Sequence, residues 1–149
     1  MNKGFTLFLA VVITGTLLLI ATGITALAVK QSKISSFGHD SQIAFYAADT
    51  GLECALYWDV KNPSGDRSAF DPSASATINC NLNAANSGNS WVVGGASVSS
   101  FTMTFLPDPS CATVTVTKSG SNTAIESLGY NNCNASASRR VERAVRANY

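Results

Sequence analysis

Hydrophobic residues form one long uninterrupted block near the start of the chain. Between Phe5 and Val29 there is no charged residue, and the next charges are Lys30 and Lys33. A helix of about 25 residues is roughly 37 Å long, which exceeds the ~30 Å hydrocarbon core of a bilayer. The pattern therefore predicts a transmembrane helix over residues 5–29, preceded by a short basic segment, residues 1–4.

Beyond this block the helical pattern continues and becomes amphipathic. Apolar and small residues recur at alternating steps of three and four, which is the spacing of one helix face. One stripe consists of Ile34, Phe37, Ser41, Phe45, Ala48, Leu52 and Ala55, and a neighbouring stripe of Ile43, Ala47, Cys54 and Trp58. The turn residues Asn62-Pro63-Ser64-Gly65 then end the helix. We predict an amphipathic half-helix over residues 30–61 that packs on the rest of the chain.

The second half of the chain alternates with the two-residue period of β-strands. Residues 62–75 and 83–90 are rich in Ser, Asn, Gly, Asp and Pro and are predicted as loops, with turns at 106–110 and 118–122. Strands are predicted at residues 76–82, 101–105, 112–116, 123–128 and 140–148, and β-type patterning follows Trp91. The expected fold class is α+β: a long N-terminal helix packed on a roughly four-stranded antiparallel sheet, in a globular domain of residues 62–149.

The composition of the chain bears on the number of domains and on the state of its cysteines, and it indicates no binding or catalytic site. The chain has 149 residues, so we expect one domain beyond the anchor, and its formal net charge of +1 indicates nothing about nucleic acid or acidic partners. Its cysteines, at positions 54, 80, 111 and 133, are widely spaced, and there is one histidine. Zinc sites use closely spaced ligand pairs, so two disulfides in an oxidising compartment are expected instead. Three pairings are open, and we favour Cys54–Cys80 and Cys111–Cys133 because each joins adjacent elements.

The junction Gly4-Phe5-Thr6-Leu7 lies between the basic segment and the apolar block. A secretory signal peptide would have a shorter apolar region and a small-residue cleavage site beyond it. The junction instead resembles the class III signal of type IV pilins and pseudopilins; the alternative is an ordinary signal-anchor helix. The resemblance implies that residues 1–4 are a leader removed after Gly4, that Phe5 is N-methylated, and that the helix remains as anchor and assembly element of a pilin fold.

Three further features bear on this resemblance. The segment from Ala44 to Ala55 resembles the Ala-Ala-acidic-small-Gly-Leu-Glu-x-Ala pattern of certain minor pilins, although an alanine-rich core face would look the same. Leu9 stands where most pilins have the glutamate that meets a neighbour's N-terminal amine. In the family this departure is known from subunits thought to sit at the filament tip, which favours a minor or initiating subunit. Gly15 and Gly23 are candidate points where the helix bends or unwinds in a filament, or where helices pack closely.

Candidate chemistry is sparse. The sequence contains no Gly-rich phosphate loop, zinc-protease motif or nucleophile elbow, so we expect neither enzyme activity nor a cofactor or metal. His39 is a candidate general base, but a solvated histidine at the membrane interface is the favoured interpretation. Asp66, Asp71 and Asp108 stand beside Pro, Ser or Gly, and we favour turn formation over a calcium site for them.

The last predicted strand is rich in arginine. Arg139, Arg140, Arg143 and Arg146 could form a basic stripe for nucleic acid, but we favour the charged outer face of an edge strand. Alternation puts Arg140, Glu142 and Arg146 on one face, and Val141, Val145, Ala147 and Tyr149 on the other. Arg143 falls on the apolar face, so its guanidinium is expected to reach the rim or to pair with a carboxylate.

The sequence therefore predicts a structural, non-enzymatic subunit of a bacterial type IV pilus or related filament, supporting adhesion, motility or DNA uptake. The expected partners are other pilin subunits, a prepilin peptidase, an inner-membrane assembly platform and the lipid bilayer; nucleic acid is not supported. Lysines on both sides leave the orientation undecided by charge, but cysteine usage and the resemblance place the body outside. The chain would be a single-pass inner-membrane protein before assembly into a surface pilus. The alternatives are a pseudopilin of a type II secretion system and a membrane-anchored module that does not polymerise.

Overall fold

The structure is a computed structural model that describes residues 3–62, 65 and 67–149. Met1 and Asn2 of the expected leader, and Pro63, Ser64 and Asp66 of the expected loop, lie outside the described residues. Helix α1 spans Lys3–Val60. Within the described residues the strands are β1 (Ser75–Asn79), β2 (Ser90–Gly94), β3 (Val98–Thr104), β4 (Cys111–Ser119), β5 (Asn122–Tyr130) and β6 (Glu142–Asn148).

The strands form two antiparallel sheets. β1 pairs with β2, and the larger sheet has the order β3-β4-β5-β6, which is a meander in chain order. The predicted α+β layout, a long N-terminal helix packed on a four-stranded antiparallel sheet, is confirmed. Lys118, which was expected in a turn, instead lies in β4, where it pairs with Thr123 of β5.

The chain divides into two compact units, residues 1–38 and residues 39–149. In the first unit, the described part consists of the N-terminal portion of α1, and its side chains are almost all exposed. The second unit contains the remainder of α1 from His39 onward together with the strands, and its interior is apolar.

The core of the second unit is filled by side chains that alternate inward from the strands and by one face of α1. Its largest fully buried apolar residues are Phe70, Ile78, Met103, Val114, Val116 and Ile125. Trp58 closes the core at the end of the helix, where its indole Nε1 donates a hydrogen bond of 3.0 Å to the Asn79 carbonyl oxygen. This bond satisfies the polar edge of the indole ring, so burial of its apolar area stabilises the fold.

Small residues let α1 and the sheet approach closely. A Cβ atom on Gly129 would lie 2.0 Å from the Ala44 carbonyl oxygen and 2.3 Å from the Ala48 amide nitrogen. On the helix, a Cβ on Gly51 would lie 2.6 Å from Ser127 Oγ. The small residues of the Ala44–Ala55 segment therefore allow the helix to pack closely on β5.

The predicted helical stripe is buried only in part. Its first members, Ile34 and Phe37, are 72% and 55% exposed, and the close approach explains a further difference. Phe45 was expected on the buried face, but its side chain is 46% exposed, whereas Ala44 is fully buried. A phenyl ring has no room where the Ala44 backbone meets Gly129, so the ring lies outside the contact. Ala48, Leu52 and Ala55 are buried as predicted.

Two disulfides connect the elements of this unit. Cys54 of α1 pairs with Cys80 just after β1, and Cys111 of β4 pairs with Cys133 beyond β5. This is the pairing favoured from the sequence. The closed loops span 26 and 22 residues. On the chain-entropy account, loops of this length stabilise the fold by about 3 kcal/mol each.

Side-chain amides attach the loop between β1 and β2 to the edge of β3. Asn89 accepts a hydrogen bond from the Thr104 amide and donates one of 2.8 Å to the Thr104 carbonyl oxygen. Asn86 does the same for Leu106, with distances of 2.8 and 3.0 Å. Both asparagines are buried. Each amide thus replaces the backbone partner that a further strand would supply, and this end of β3 is covered.

Candidate assembly surface

The apolar surface of the first unit is the most prominent candidate for function. Within the described residues, α1 is the one helix that is long and apolar enough to cross a membrane. No residue in its most apolar stretch is buried. Phe5, Leu7, Phe8, Leu18 and Leu19 are each more than 60% exposed. An exposed apolar area of this extent marks a surface that another apolar phase covers, either lipid or protein.

Four threonines of this segment satisfy their hydroxyl groups within the helix. Thr14 Oγ1 donates to the Ala10 carbonyl oxygen at 2.9 Å, and Thr22 Oγ1 donates to that of Leu19 at 2.9 Å. Thr16 and Thr25 make equivalent bonds one turn back along the helix. Their polar groups are satisfied within the helix, so the segment can enter an apolar environment without losing hydrogen bonds to water.

The positions singled out by the class III resemblance all lie on α1. Gly4 and Phe5 are exposed in its first turns, and Leu9 is 48% exposed. A Cβ atom on Gly15 or Gly23 would meet nothing within 4 Å, so neither glycine is required by a contact inside the chain. Both positions are therefore free to contact another molecule.

The second unit presents a different helix surface. We define the outer stripe as Tyr46, Asp49, Thr50, Glu53, Tyr57 and Val60, which lie on the side of α1 opposite the buried residues. Tyr46 and Tyr57 are 65% and 51% exposed. Between them the stripe carries two carboxylates, so it is both aromatic and acidic.

A buried polar cluster joins the end of α1 to the sheet. Lys118 Nζ lies 2.6 Å from Asp59 Oδ1 and 2.8 Å from Oδ2. Ser68 Oγ also donates to Asp59 Oδ1, and the Tyr149 hydroxyl donates to Oδ2. The side chains of Asp59 and Lys118 are 3% and 15% exposed, so a nearly complete set of donors compensates the buried charge.

The cluster changes the pKa of two of its members. Burial raises the pKa of Asp59, but donation from Lys118, Ser68 and Tyr149 and the Lys118 charge outweigh it, so the pKa lies below its ordinary value of 3.8. The pKa of Tyr149 is raised by burial and by its bond to the Asp59 carboxylate, because ionisation would place two negative charges together.

His39, Asp71 and Asp108, which the sequence offers as chemical groups, lie on α1 and in two turns. His39 is exposed on α1. Asp71 Oδ1 accepts from the Ser73 amide at 2.8 Å, and Asp108 Oδ1 accepts from the Ser110 amide at 2.9 Å. These two aspartates form turns, as predicted. No group of three His, Cys, Asp or Glu side chains is placed to hold a metal ion within the part of the chain that the structure describes.

Arg139 and Arg140 precede β6, and Arg143 and Arg146 lie in it. β6 is the last strand of its sheet and therefore an edge, as expected. Arg139 pairs with Asp40 at 2.7 Å, and the Arg140 guanidinium carbon lies 3.7 Å from the centre of the Tyr130 ring. Arg143 reaches the rim, where its Nε donates to Ser41 Oγ at 2.8 Å. Arg146 lies on the outer sheet face opposite Glu126 of β5.

A shallow cleft of the body lies beside Arg146 and Tyr149. It has a volume of about 460 Å³ and is lined by polar side chains such as Thr117, Ser119 and Asn122.

Sequence reasoning did not find the Asp59 cluster or the outer stripe. Asp59 lies 59 residues from Lys118 and 90 residues from Tyr149, so no local spacing reveals their contact. The available signal for this contact was a charged residue near the end of the helix, Asp59, and another near the end of a strand, Lys118. Comparison with protein-family models, with curated proteins and with solved structures gives no match.

Proposed function

We propose that this chain is a minor or initiating subunit of a type IV pilus or related filament, processed after Gly4 and assembled through its apolar helix. One observation carries the proposal: residues 5–29 of α1 follow the Gly4-Phe5 junction, carry no charge and expose their apolar side chains, and α1 continues into a part that packs on a disulfide-bonded sheet. A soluble module would gain nothing from such an exposed surface.

The assembly step is an exchange of apolar environments. In the inner membrane, residues 5–29 contact lipid chains, and in a filament they contact the same segments of other subunits. Lipid tails are as apolar as leucine, so this exchange depends on close packing rather than on removal of apolar area from water. Gly15 and Gly23, whose surroundings are open, are suited to such packing.

Leu9 bears on the place of the subunit in the filament. A glutamate at that position would be costly in the bilayer, by about 2.5–3.5 kcal/mol on insertion scales, unless it were paired. With leucine the chain inserts readily but has no carboxylate to meet a preceding subunit's amine. This chemistry suits a subunit with no preceding neighbour, as at a filament tip.

The body then acts as the displayed part of the subunit. Adhesion, motility or DNA uptake would be properties of the filament, with the inner-membrane assembly platform and the prepilin peptidase as the partners in its formation. The buried ion pair of Asp59 and Lys118 is satisfied within the chain, which supports a self-contained body suited to display.

Filaments sheared from cells that express the chain provide the test. We expect the processed chain in the sheared fraction, whereas Gly4→Ser blocks cleavage and leaves full-length protein in the membrane fraction. Gly38→Ala is the matched control, since Gly38 is another exposed helical glycine with open surroundings. If the wild-type chain remains entirely in membranes, or Gly4→Ser enters filaments normally, the proposal is wrong.

A further inference from the structure

The backbone of β6 is open along its outer edge. At the end of the ladder with β5, Thr123 and Tyr149 exchange backbone hydrogen bonds of 2.7 and 3.0 Å. Exchanging and non-exchanging pairs alternate along an antiparallel ladder, so the N–H and C=O groups of Ala144, Arg146 and Asn148 point away from β5. These residues are exposed, and no described residue hydrogen-bonds to their backbone groups. This side of β6 is therefore free to pair with another strand.

The opposite edge of the same sheet shows what such backbone groups bind. At the end of β3, the side-chain amide of Asn89 pairs with both the N–H and the C=O of Thr104, as a neighbouring strand would. The chain provides this substitute at β3, and among its described residues it provides none at β6. An open edge with regular strand geometry is the template on which an extended peptide adds as a further strand.

The side chains beside the open edge differ between the two faces of the sheet. On the outer face, Arg146 lies opposite Glu126 of β5 and forms no ion pair within the part of the chain that the structure describes. A guanidinium has several N–H donors, so Arg146 can bind a second carboxylate on its open side while it faces Glu126. On the inner face, Val145 and Ala147 are half-buried against the apolar core.

We propose that β6 binds an extended segment of a different protein as a further strand of this sheet. Side chains alternate between the faces of a strand, so the segment carries an acidic residue opposite Arg146 and apolar residues beside Val145 and Ala147. The inference goes beyond the proposed function, because it concerns the body alone.

A second copy of the chain fits this edge less well than an acidic partner does. Antiparallel pairing of two β6 strands places Arg146 opposite itself in one register. The other registers that pair most of the strand bring Arg143 opposite an apolar residue of the inner face. A separate protein with an acidic strand meets neither conflict.

A synthetic peptide tests the site on the full-length chain in detergent. The probe has blocked ends, the seven-residue length of β6, and the sequence Val-Thr-Val-Glu-Val-Thr-Val. We expect it to bind, and we expect lysine in place of its glutamate to weaken binding about tenfold, because the charge opposite Arg146 is reversed. The same peptide with methylated backbone nitrogens keeps its side chains but has no donors, so it is the matched control and should not bind.

Ala144→Pro tests the edge from the side of the protein. The Ala144 N–H points away from β5, so proline removes a donor from the open edge and none from the sheet. Ala144→Thr is the matched control, since it keeps the N–H. We expect the two variants to unfold alike in denaturant, and Ala144→Pro to bind the acidic peptide about tenfold more weakly than the control.

Hydrogen exchange locates the bound peptide on the wild-type chain. The acidic peptide is expected to slow amide exchange in β6 more than in β3. Failure of the acidic peptide to bind, equal binding of the methylated peptide, or normal binding by Ala144→Pro would overturn the inference, and so would protection centred on β3.

Two further results separate the partner from the alternatives. Equal binding of the lysine peptide would overturn the acidic class of partner. A wild-type dimer that Ala144→Pro dissociates, measured by light scattering, would show that a second copy occupies the edge instead. Peptide binding by a chain that never enters filaments would support the inference and contradict only the proposed function.

Discussion

At the scale of single residues, Asp59 explains how this small body tolerates a buried charge. Its carboxylate accepts hydrogen bonds from Lys118, Ser68 and Tyr149, which come from three separate parts of the chain. A buried ion pair of this kind adds little stability compared with apolar packing, but the loss of one partner leaves an uncompensated charge. The cluster therefore fixes the end of α1 against β4 and residue 149.

Lys118→Met tests this role. The substitution leaves Asp59 buried without its cation, and we expect a loss of about 3 kcal/mol in the free energy of unfolding. Denaturant unfolding of the full chain in detergent, followed by the fluorescence of Trp58 and Trp91, measures it. Lys61→Met removes an exposed lysine close to the same helix end and should change stability little. Equal effects of the two substitutions would contradict the role given to Lys118.

The pH dependence of stability follows from the same cluster. The pKa of Asp59 is lower in the folded state than its ordinary 3.8, so its contribution is present above that pH and is lost as the pH falls below it. The pKa of Tyr149 is raised above its ordinary 10.0, so its contribution is present below pH 10.0 and is lost as the pH rises further.

Tyr149→Phe isolates the alkaline part of this dependence. At neutral pH the variant should be less stable, because it lacks the hydrogen bond to Asp59. Above pH 10.0 the difference between wild type and variant should shrink, because only the wild type has this tyrosine to ionise. Denaturant unfolding at several pH values measures the difference. A gap that stays constant or widens would contradict the link between Tyr149 and Asp59.

At the scale of elements, the contact between α1 and β5 depends on the absence of side chains. Gly129 faces the backbone of Ala44 and Ala48, and Gly51 faces Ser127. A methyl group at position 129 would overlap backbone atoms that belong to a regular helix, so relief requires the helix to move as a body. The position thus sets the distance between the helix and the sheet.

Gly129→Ala is expected to destabilise the body by about 3 kcal/mol, at the upper end of overpacking effects. Gly88→Ala is the matched control, because a Cβ on Gly88 meets nothing within 4 Å. Unfolding of the two variants under identical conditions gives the comparison. If Gly129→Ala unfolds as the control does, the helix and sheet are less closely packed than described.

Periodicity in the sequence predicts most of the helix and strand positions. It fails where the burial of a residue depends on how closely two elements approach, or on a partner that is remote in sequence. The alternation of Phe101 with Thr102, and of Val114 with Thr115, places residues on opposite sheet faces, and β3 and β4 form there. The burial of Ala44 rather than Phe45 depends on Gly129, which is remote in sequence. The hydrogen bonds from the side-chain amides of Asn86 and Asn89 to Leu106 and Thr104 could not be predicted either. The composition of a polar loop does not indicate that its side chains will bond to the edge of a strand.

At the scale of the whole molecule, the chain combines two units of different character. The helix of the first unit has an exposed apolar surface, and its threonines Thr14 and Thr22 satisfy their hydroxyl groups within the helix. The second unit has its own apolar core and is held by two disulfides and a buried ion pair. In the proposed filament the first surface forms the interior, and the second unit is displayed.

The central claim is that the apolar helix becomes the N-terminus of the mature chain and is retained in the filament. Mass spectrometry of the native chain, with fragmentation of its N-terminal peptide, tests this claim most directly. The account predicts a chain that begins at Phe5 and carries one methyl group on its amine. A native chain that still begins at Met1, or one that begins beyond Val29, would contradict it.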